Sequence, residues 1–247
     1  MIVLGFDTAT SATAVALRMG DGRSTEARDD PPTGAHPGHA TRLLEMAREL
    51  LDGAGVAWRD VDRVAVGVGP GTFTGLRVGV ATARGLAQSL SAELVGVSSL
   101  RALALGALVP EVEQAVLAVI DARRGEVFTA AYEIGETGRT PRELASARAL
   151  APQELASVLA EANEPPGAAH ERWLAVGDGA VRFREQFELA RVRIPPDSST
   201  LHLVSASAIC ELGAHATVAA MEQLLPDYRR RPDAELALAG GGKDLLT

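Results

Sequence analysis

Gly67-Val68-Gly69-Pro70-Gly71-Thr72-Phe73-Thr74-Gly75-Leu76-Arg77-Val78-Gly79 is the stretch around which the chain is organised. Before it runs a short apolar segment, 61–68, broken only by Asp62 and Arg63. After it, 74–90 is rich in Ala, Leu and Val at helical spacing. This order predicts a strand that enters a tight glycine turn and a helix that leaves it. Thr72 or Thr74 is placed to cap that helix by accepting a bond from a first-turn N–H. Glycine permits positive φ and lets another backbone or a ligand approach closely. Two readings follow: a sharp strand-to-helix turn, or an anion or nucleotide site at a helix N-terminus. The stretch is not a Walker A loop, because it has no lysine in the required place. It is not the dinucleotide fingerprint either, since the glycine spacing differs and no acidic residue is clearly placed after a next strand.

Upstream, 2–6 is a compact apolar run that ends at Asp7. A second run, 12–17, follows Thr8-Ala9-Thr10-Ser11, and the two together predict a hairpin; 23–27 reads as a weaker third strand. An acid at the end of a first central strand suits phosphate or metal chemistry and equally suits a turn cap. After a Pro/Gly loop at 29–38, 40–51 is predicted helical. Leu43, Leu44, Ala47, Leu50 and Leu51 recur there at three- and four-residue spacing, and Gly53 and Gly55 end it. Downstream, 93–97 is a short strand, and Ser98 or Ser99 caps a helix that runs to about 108. Helices between these strands predict mainly parallel pairing.

A boundary falls near Val109-Pro110, and beyond it the pattern restarts. The run 115–120 ends at Asp121 as 2–6 ends at Asp7, and 126–134 alternates in polarity. The strand–acid–loop–strand order therefore occurs twice, which points to duplication of one unit. The remainder reads as a short helix at 152–162 with Pro at its start, a loop at 163–170, and a strand at 173–176 that leads into a Gly177-Asp178-Gly179 turn. A helix at 181–190 follows, and 205–225 reads as one long helix that crosses back onto the first half. The tail from 226 is polar, and Gly240-Gly241-Gly242 predicts disorder near its end.

The chain has 247 residues, enough for one large domain or two small ones. It is 47% hydrophobic but only 4% aromatic, so Ala, Leu and Val must fill the core. A formal net charge of −8 disfavours a broad nucleic-acid surface and leaves room for a local basic patch. The single cysteine, Cys210, excludes an internal disulfide and a multi-cysteine zinc site, and it fits a reducing compartment. Asp7 breaks the N-terminal apolar run, so no signal peptide is legible. No run reaches the roughly 18 apolar residues a membrane span needs. A cytoplasmic protein without a membrane segment is expected.

The chemical candidates are few. His36 and His39 flank Pro37-Gly38 with no carboxylate or cysteine beside them, a poor start for a metal site of three or four ligands. There is no Gly-x-Ser-x-Gly elbow, and Cys210 lies in an Ala-rich helix, where it reads as a small buried hydrophobe. Asp121 with Arg123 and Arg124 is the best charged cluster. It could hold a phosphate or a partner carboxylate in a bidentate fork, or form a hairpin turn with a local salt bridge. Arg229-Arg230-Arg231, with Arg77 and Arg84, could touch nucleic acid or form a solvated face diluted by Asp227, Asp233 and Glu235. Gly75, Gly79 and Ala83 are spaced by four and share one helix face, with Leu76 and Val80 beside them. Such a face allows close helix packing, either within one core or at a subunit interface. The 40–51 helix, with Leu43 and Ala47, is a candidate neighbour; both helices together would make a flat apolar patch for a protein partner.

Four segments, in order, carry a resemblance. They are Asp7-Thr8-Ala9-Thr10, the glycine stretch from Gly69 to Gly79, Asp121-Ala122-Arg123-Arg124-Gly125-Glu126-Val127-Phe128, and Pro226-Asp227-Tyr228-Arg229-Arg230-Arg231-Pro232-Asp233-Ala234-Glu235. By these the chain resembles the TsaB family, also called YeaZ, of tRNA threonylcarbamoyladenosine biosynthesis proteins. The resemblance implies an α/β, two-lobed fold of the actin, Hsp70 and sugar-kinase kind, with duplicated ribonuclease H-like lobes. The first lobe would span 1–109, completed by a C-terminal helix at about 203–225. The second would span 110–202, with a partly disordered tail at 226–247.

The resemblance also implies a non-catalytic subunit that pairs with the catalytic TsaD protein through first-lobe helices. TsaE, an ATPase, joins the pair, and the complex modifies adenosine 37 of tRNAs that read codons beginning with A. TsaD carries a His-x-x-x-His metal motif, whereas His36 and His39 have the wrong spacing. No cofactor is therefore expected in this subunit, ATP and metal belonging to the partners, and tRNA would be met mainly through the complex. The expected interface is Gly75, Leu76, Arg77, Gly79, Val80 and Ala83 with Leu43 and Ala47, and a homodimer could use the same helices. On that basis Gly79→Leu should disrupt pairing and spare the fold. Relatives have been described as glycoprotease-like peptidases, but no metal triad, nucleophile or paired base supports that here. The rival reading is a kinase-like enzyme that holds ATP and Mg²⁺ between the lobes with Asp7 and Asp121.

Overall fold

β1 (Val3–Asp7) is buried along its whole length, as its uninterrupted apolar run requires of a central strand. In this computed structural model, which describes residues 1–32, 35–107, 115–134, 140–162 and 173–229, β1 pairs antiparallel with β2 (Thr13–Arg18), Val3 opposite Arg18 and Asp7 opposite Ala14. β2 pairs antiparallel with β3 (Ser24–Asp29). On the other side of β1, β4 (Arg63–Gly69) and β5 (Glu93–Ser98) add in parallel, which gives the order β3-β2-β1-β4-β5. The crossovers are α1 (His39–Ala54) and α2 (Phe73–Leu90), which pack side by side on one face of the sheet. α3 (Ser99–Gly106) follows β5, and the Ser98 hydroxyl caps it by accepting from the Arg101 N–H at 3.3 Å.

The second half repeats this plan. β6 (Ala115–Arg123) pairs antiparallel with β7 (Glu126–Ile134), and β7 pairs antiparallel with β8 (Pro141–Leu150). α4 (Leu155–Glu161) leads towards β9 (Trp173–Val176), which joins β6 in parallel. The order β8-β7-β6-β9 is the order β3-β2-β1-β4 with every pairing direction kept. The duplication expected from two strand–acid–strand runs is therefore a duplication of topology. α5 (Asp178–Arg182), α6 (Arg184–Leu189) and α7 (Ala206–His215) complete the chain.

Three apolar clusters order the layers. One lies between α1, α2 and the first sheet, and one between the second sheet and α4 to α6. The third joins the two sheets through α3 and α7, and it is built largely of Ala and Val with Ile120, Phe128, Tyr132 and Ile209. The low aromatic content is matched by this Ala-rich layer, where short side chains let helices sit close to the strands.

Three expectations differ from the structure. The strand β8 was not legible at 141–150, because its Arg, Glu and Ala residues lie on a half-exposed sheet edge and give no clean alternation. The helix expected at 181–190 is two short helices, α5 and α6, divided at Phe183, whose φ is −112°. The helix expected at 205–225 ends at His215. Its end is set by Arg63, which is buried and whose Nη1 donates to the carbonyls of Gly213, Ala214 and Ala216 at 2.7, 3.1 and 3.3 Å. A guanidinium on the free carbonyls of a helix C-terminus both satisfies them and opposes the negative end of the dipole.

The chain from 217 to 229 then runs as an irregular strap along the first lobe. Ala219 N donates to Leu94 O at 2.9 Å, and Asp227 N donates to Val68 O at 2.8 Å. Leu224 is buried beside Gly96. Pro226–Arg229, expected as the start of a polar, partly disordered tail, is held against β4 and α2. The boundary at Val109-Pro110, the loop at 163–170, and Arg230, Arg231 and Gly240 to Gly242 lie outside the described residues.

Candidate functional site

The glycine stretch is a strand-to-helix turn pressed against the first hairpin. Gly69 has φ +105°, and Thr72 N, at the helix entrance, donates to Ala9 O at 2.7 Å. Thr72 is the N-cap residue of α2, but its hydroxyl makes no capping bond. The entrance of α2 is therefore closed by the chain's own Thr8-Ala9 backbone. Further along, Thr8 Oγ1 donates to Gly75 O at 2.8 Å. A Cβ on Gly75 would lie 2.0 Å from Thr8 O, and one on Gly79 would lie 2.5 Å from Thr8 Oγ1. These two glycines exist so that α2 can lie on the end of β1.

This corrects the expected interface. Gly75, Leu76, Gly79, Val80 and Ala83 are buried against the chain's own sheet, as are Leu43 and Ala47 of α1. Of that set only Arg77 is exposed. The side of α2 turned to solvent carries Thr74, Arg77, Ala81, Gly85 and Gln88, and Ala40, Leu44, Arg48 and Asp52 are exposed on α1. Leu44 is 45% exposed, one of few large apolar side chains left on the surface among the described residues. The two helices form one layer, so their outer sides adjoin: Ala81 and Gly85 leave the α2 part low, while Leu44 on the α1 part stands among Glu45, Arg48, Glu49 and Asp52.

The two sheet-end acids are bonded inside the chain. Asp7 is 1% exposed; its Oδ1 accepts from Ala9 N at 2.8 Å and its Oδ2 from Ser99 Oγ at 2.5 Å. Burial pushes its carboxyl above the ordinary range, partly offset by those two bonds. Asp121 is also buried. Its Oδ2 meets Arg182 Nη1 at 2.6 Å and Arg123 Nη1 at 3.2 Å, and its Oδ1 accepts from Arg123 N at 2.8 Å. Asp178 Oδ1 accepts from Asp121 N at 2.9 Å, and burial raises the Asp178 carboxyl. Arg123, Arg124 and Gly125 all have positive φ, 65°, 53° and 82°, and close the β6–β7 hairpin. The local salt bridge is thus the reading of this cluster that the geometry supports. An Mg²⁺-binding pair needs accessible oxygens; here Asp7 is capped by Ser99 and Asp121 is neutralised by two arginines, so the arrangement gives the rival kinase reading no support.

The remaining candidates fall into place simply. His39 is buried at the start of α1, with Nδ1 2.8 Å from Thr13 Oγ1, and burial lowers the pKa of its imidazole; His36 is exposed. Among the described residues no cluster of three His, Cys, Asp or Glu side chains could hold a metal. Cys210 is fully buried, and burial pushes its thiol up to about 12. Among the described residues no helix is long and apolar enough to cross a membrane.

A feature that sequence reasoning missed lies at the start of α2. Tyr228, from the strap, stacks on Phe73 with ring centroids 5.2 Å apart. The Arg77 guanidinium lies 3.7 Å over the Phe73 ring, and its Nε donates to Tyr228 Oη at 3.1 Å. Arg84 holds the strap from the same helix by donating to Leu224 O at 2.5 Å. Arg229 reaches the second lobe, where its Nη1 donates to Ala147 O of β8 at 2.9 Å. The expected company of Arg77, Arg84 and Arg229 is therefore real in part, but its members bond to the chain's own aromatic rings and carbonyls. The Asp227-Tyr228-Arg229 motif was visible; its docking place, some 150 positions back, was not.

The family model described as "TsaD: tRNA N6-adenosine threonylcarbamoyltransferase" matches residues 31–243. The chain is 32% identical to the tRNA threonylcarbamoyladenosine biosynthesis protein TsaB of Escherichia coli strain K12, across 97% of this chain and 99% of that protein. It is 27% identical to the protein of the same description from Bacillus subtilis strain 168, across 95% of this chain and 96% of that one. Among solved structures, YeaZ from Pseudomonas aeruginosa superposes with a TM-score of 0.72 at 33% identity, covering 92% of this chain and 99% of that one. With likeness of sequence and of fold running nearly end to end, the chain belongs to the TsaB (YeaZ) family.

Proposed function

We propose that this protein is the non-catalytic TsaB-type subunit of the assembly that forms N6-threonylcarbamoyladenosine at position 37 of tRNAs reading codons that begin with A. It acts by pairing with a TsaD-type catalytic subunit, and a TsaE-type ATPase joins the pair. The observation that carries this reading is the end-to-end match to TsaB proteins. The chemistry of the chain agrees with it: the two acids at the sheet ends are bonded to Ser99, Arg123 and Arg182.

The pairing surface is the outer side of α1 and α2, with Leu44, Thr74, Arg77, Ala81 and Gly85. The inward residues Gly75, Gly79 and Ala83 serve it indirectly by fixing α2 on the sheet. Small outward residues let a partner helix approach closely, and Leu44 offers it an apolar contact. A second copy of this chain could occupy the same face when the partner is absent.

The test is threonylcarbamoyl transfer to tRNA by purified TsaD-type and TsaE-type subunits, with this protein added or omitted. Transfer should require it. Leu44→Asp should weaken pairing more than ~10-fold while Tm stays within ~2 °C. Full transfer without this protein would refute the subunit role. Unchanged pairing by Leu44→Asp would refute the surface.

A further inference from the structure

α2 carries two arginines and no acidic residue along its 18 positions, in a chain whose net charge is −8. One of the two, Arg84, is engaged by the strap carbonyls. The other, Arg77, is exposed on the outer side near the start of the helix, and it makes no ion pair among the described residues. Its geometry is nevertheless fixed. One flat side of the guanidinium rests 3.7 Å from the Phe73 ring centre, and Nε is bonded to Tyr228 Oη at 3.1 Å. Tyr228 is itself held by its stacking on Phe73 and by the Asp227 bond to Val68. The two terminal nitrogens, Nη1 and Nη2, make no hydrogen bond or ion pair among the described residues. They form the edge of the fork that matches a carboxylate in bidentate fashion.

Resting on the pairing surface described above, we propose that Arg77 is its ionic anchor and receives an Asp or Glu carboxylate of the TsaD-type subunit. A long cationic side chain ordinarily loses rotamer freedom when a partner binds. Phe73 and Tyr228 have already removed that freedom, so less of the interaction is lost to ordering. The ring beneath the guanidinium also limits water on one side, which strengthens the pair that forms on the other. An exposed arginine packed against Phe73 and Tyr228 has the composition of an interface hot spot. The charge of the helix narrows the choice of partner group. With no acid on α2, the carboxylate is not supplied by its helical neighbours at i±3 or i±4.

The experiment measures the affinity of the full-length chain for the purified TsaD-type subunit at two ionic strengths, for wild type and the variants Arg77→Ala, Arg77→Lys and Tyr228→Phe. Arg77→Ala should weaken binding ~10- to 100-fold and flatten the salt dependence. Arg77→Lys keeps the charge without the fork, so it should recover only part of that loss. Tyr228→Phe keeps the ring stack and removes the bond to Nε, and it should cost ~3-fold. Thermal melts of the same variants separate anchoring from folding, since an anchor changes affinity at constant Tm. If Arg77→Ala binds within twofold of wild type while Leu44→Asp does not, the anchor is refuted and the pairing surface stands. If wild type shows no binding, both fall. Two further outcomes overturn the anchor: a loss confined to tRNA binding by the assembled complex, which would make the ligand a phosphate, or one confined to self-association, which would make the partner a second copy.

Discussion

The two sides of α2 carry similar residues and do opposite things. Inward, Gly75, Gly79 and Ala83 bring the helix axis down onto Thr8 and Val66, close enough that no Cβ fits at either glycine. Outward, Ala81 and Gly85 sit exposed, and among the described residues a Cβ on Gly85 would meet nothing within 4 Å. Small residues on a helix thus mark close approach, but only the neighbouring side chains tell which approach is already used. The inward side also carries Leu76, Val80 and Ala87, a continuous apolar arc, and is the core side. The outward side carries Thr74, Arg77 and Gln88, and is the side open to a partner.

The most forceful way to break this contrast is to put volume on each side in turn. Gly75→Ala places a methyl 2.0 Å from Thr8 O and 2.6 Å from Thr72 Oγ1, both fixed by the turn. It should destabilise the fold by about 3 kcal/mol or more, seen as a shifted midpoint in chemical denaturation. Gly79→Leu should do more, which reverses the expectation that it spares the fold. Gly85→Ala, on the open side, should leave stability unchanged or raise it by up to ~1 kcal/mol, because a helix interior favours Ala over Gly. If Gly75→Ala and Gly85→Ala behave alike, the two sides do not differ as the structure has them.

A gentler probe reaches the polar floor beneath the inward side. Burial raises the Asp7 carboxyl above its ordinary 3.8. The folded chain therefore keeps that proton to higher pH than the unfolded chain does. The contribution of this group to stability is fully present below the ordinary value and is lost as pH rises through the raised one. Asp7→Asn removes the titration and retains the shape. Its stability relative to wild type should therefore improve as pH rises above the ordinary carboxylate value, read from denaturation midpoints at each pH. A difference that stays flat with pH, or changes in the opposite sense, would show that Asp7 is not held as a buried, Ser99-bonded carboxyl. Asp178 has a raised carboxyl of its own, so the comparison with Asp7→Asn rather than the wild-type profile alone isolates the first-lobe group.

Much of this fold was legible because its signals are local. The runs that became β1, β2, β6 and β7, the glycine turn into α2, and the Ser98 cap each sit within a few residues of what they determine. The duplicated order of strands could be read from two acids, Asp7 and Asp121, that end equivalent strands. What stayed hidden depends on distant partners. Nothing near Gly213 announces that α7 stops there, because the guanidinium that ends it comes from Arg63, 150 positions away. β8 is an edge strand whose partner β7 supplies the apolar pairing that its own residues lack. At the site, the four-spaced glycines identified the helix and its close contact, but not the direction of that contact. The apolar arc of Leu76, Val80 and Ala83 pointed inward and was the signal that could have decided it.

The smallest change tests whether the outer side of α2 stands apart from the second lobe. The strap that presents Tyr228 to Arg77 ends at Arg229, which bonds Ala147 O of β8 and pairs with Asp227 at 2.7 Å. Arg229 is partly exposed, so each of these contacts contributes little, on the order of 0.5–1 kcal/mol. Arg229→Ala should therefore lower Tm by only a few degrees, ~4 °C at most for a chain of this size. The informative reading is local. Hydrogen exchange should quicken at the Asp227 amide, whose bond to Val68 O holds the strap to the first lobe, and leave α2 protected through its own ladder and its glycine seat on Thr8. If the outer side of α2 stands apart, pairing affinity in Arg229→Ala should fall less than in Tyr228→Phe, because Phe73 still packs on Tyr228 from the α2 side. A loss as large as that of Arg77→Ala would mean that the second lobe, acting through the strap, helps set the docking surface. The outer side of α2 would then report on how the two lobes are joined as well as on the first lobe alone.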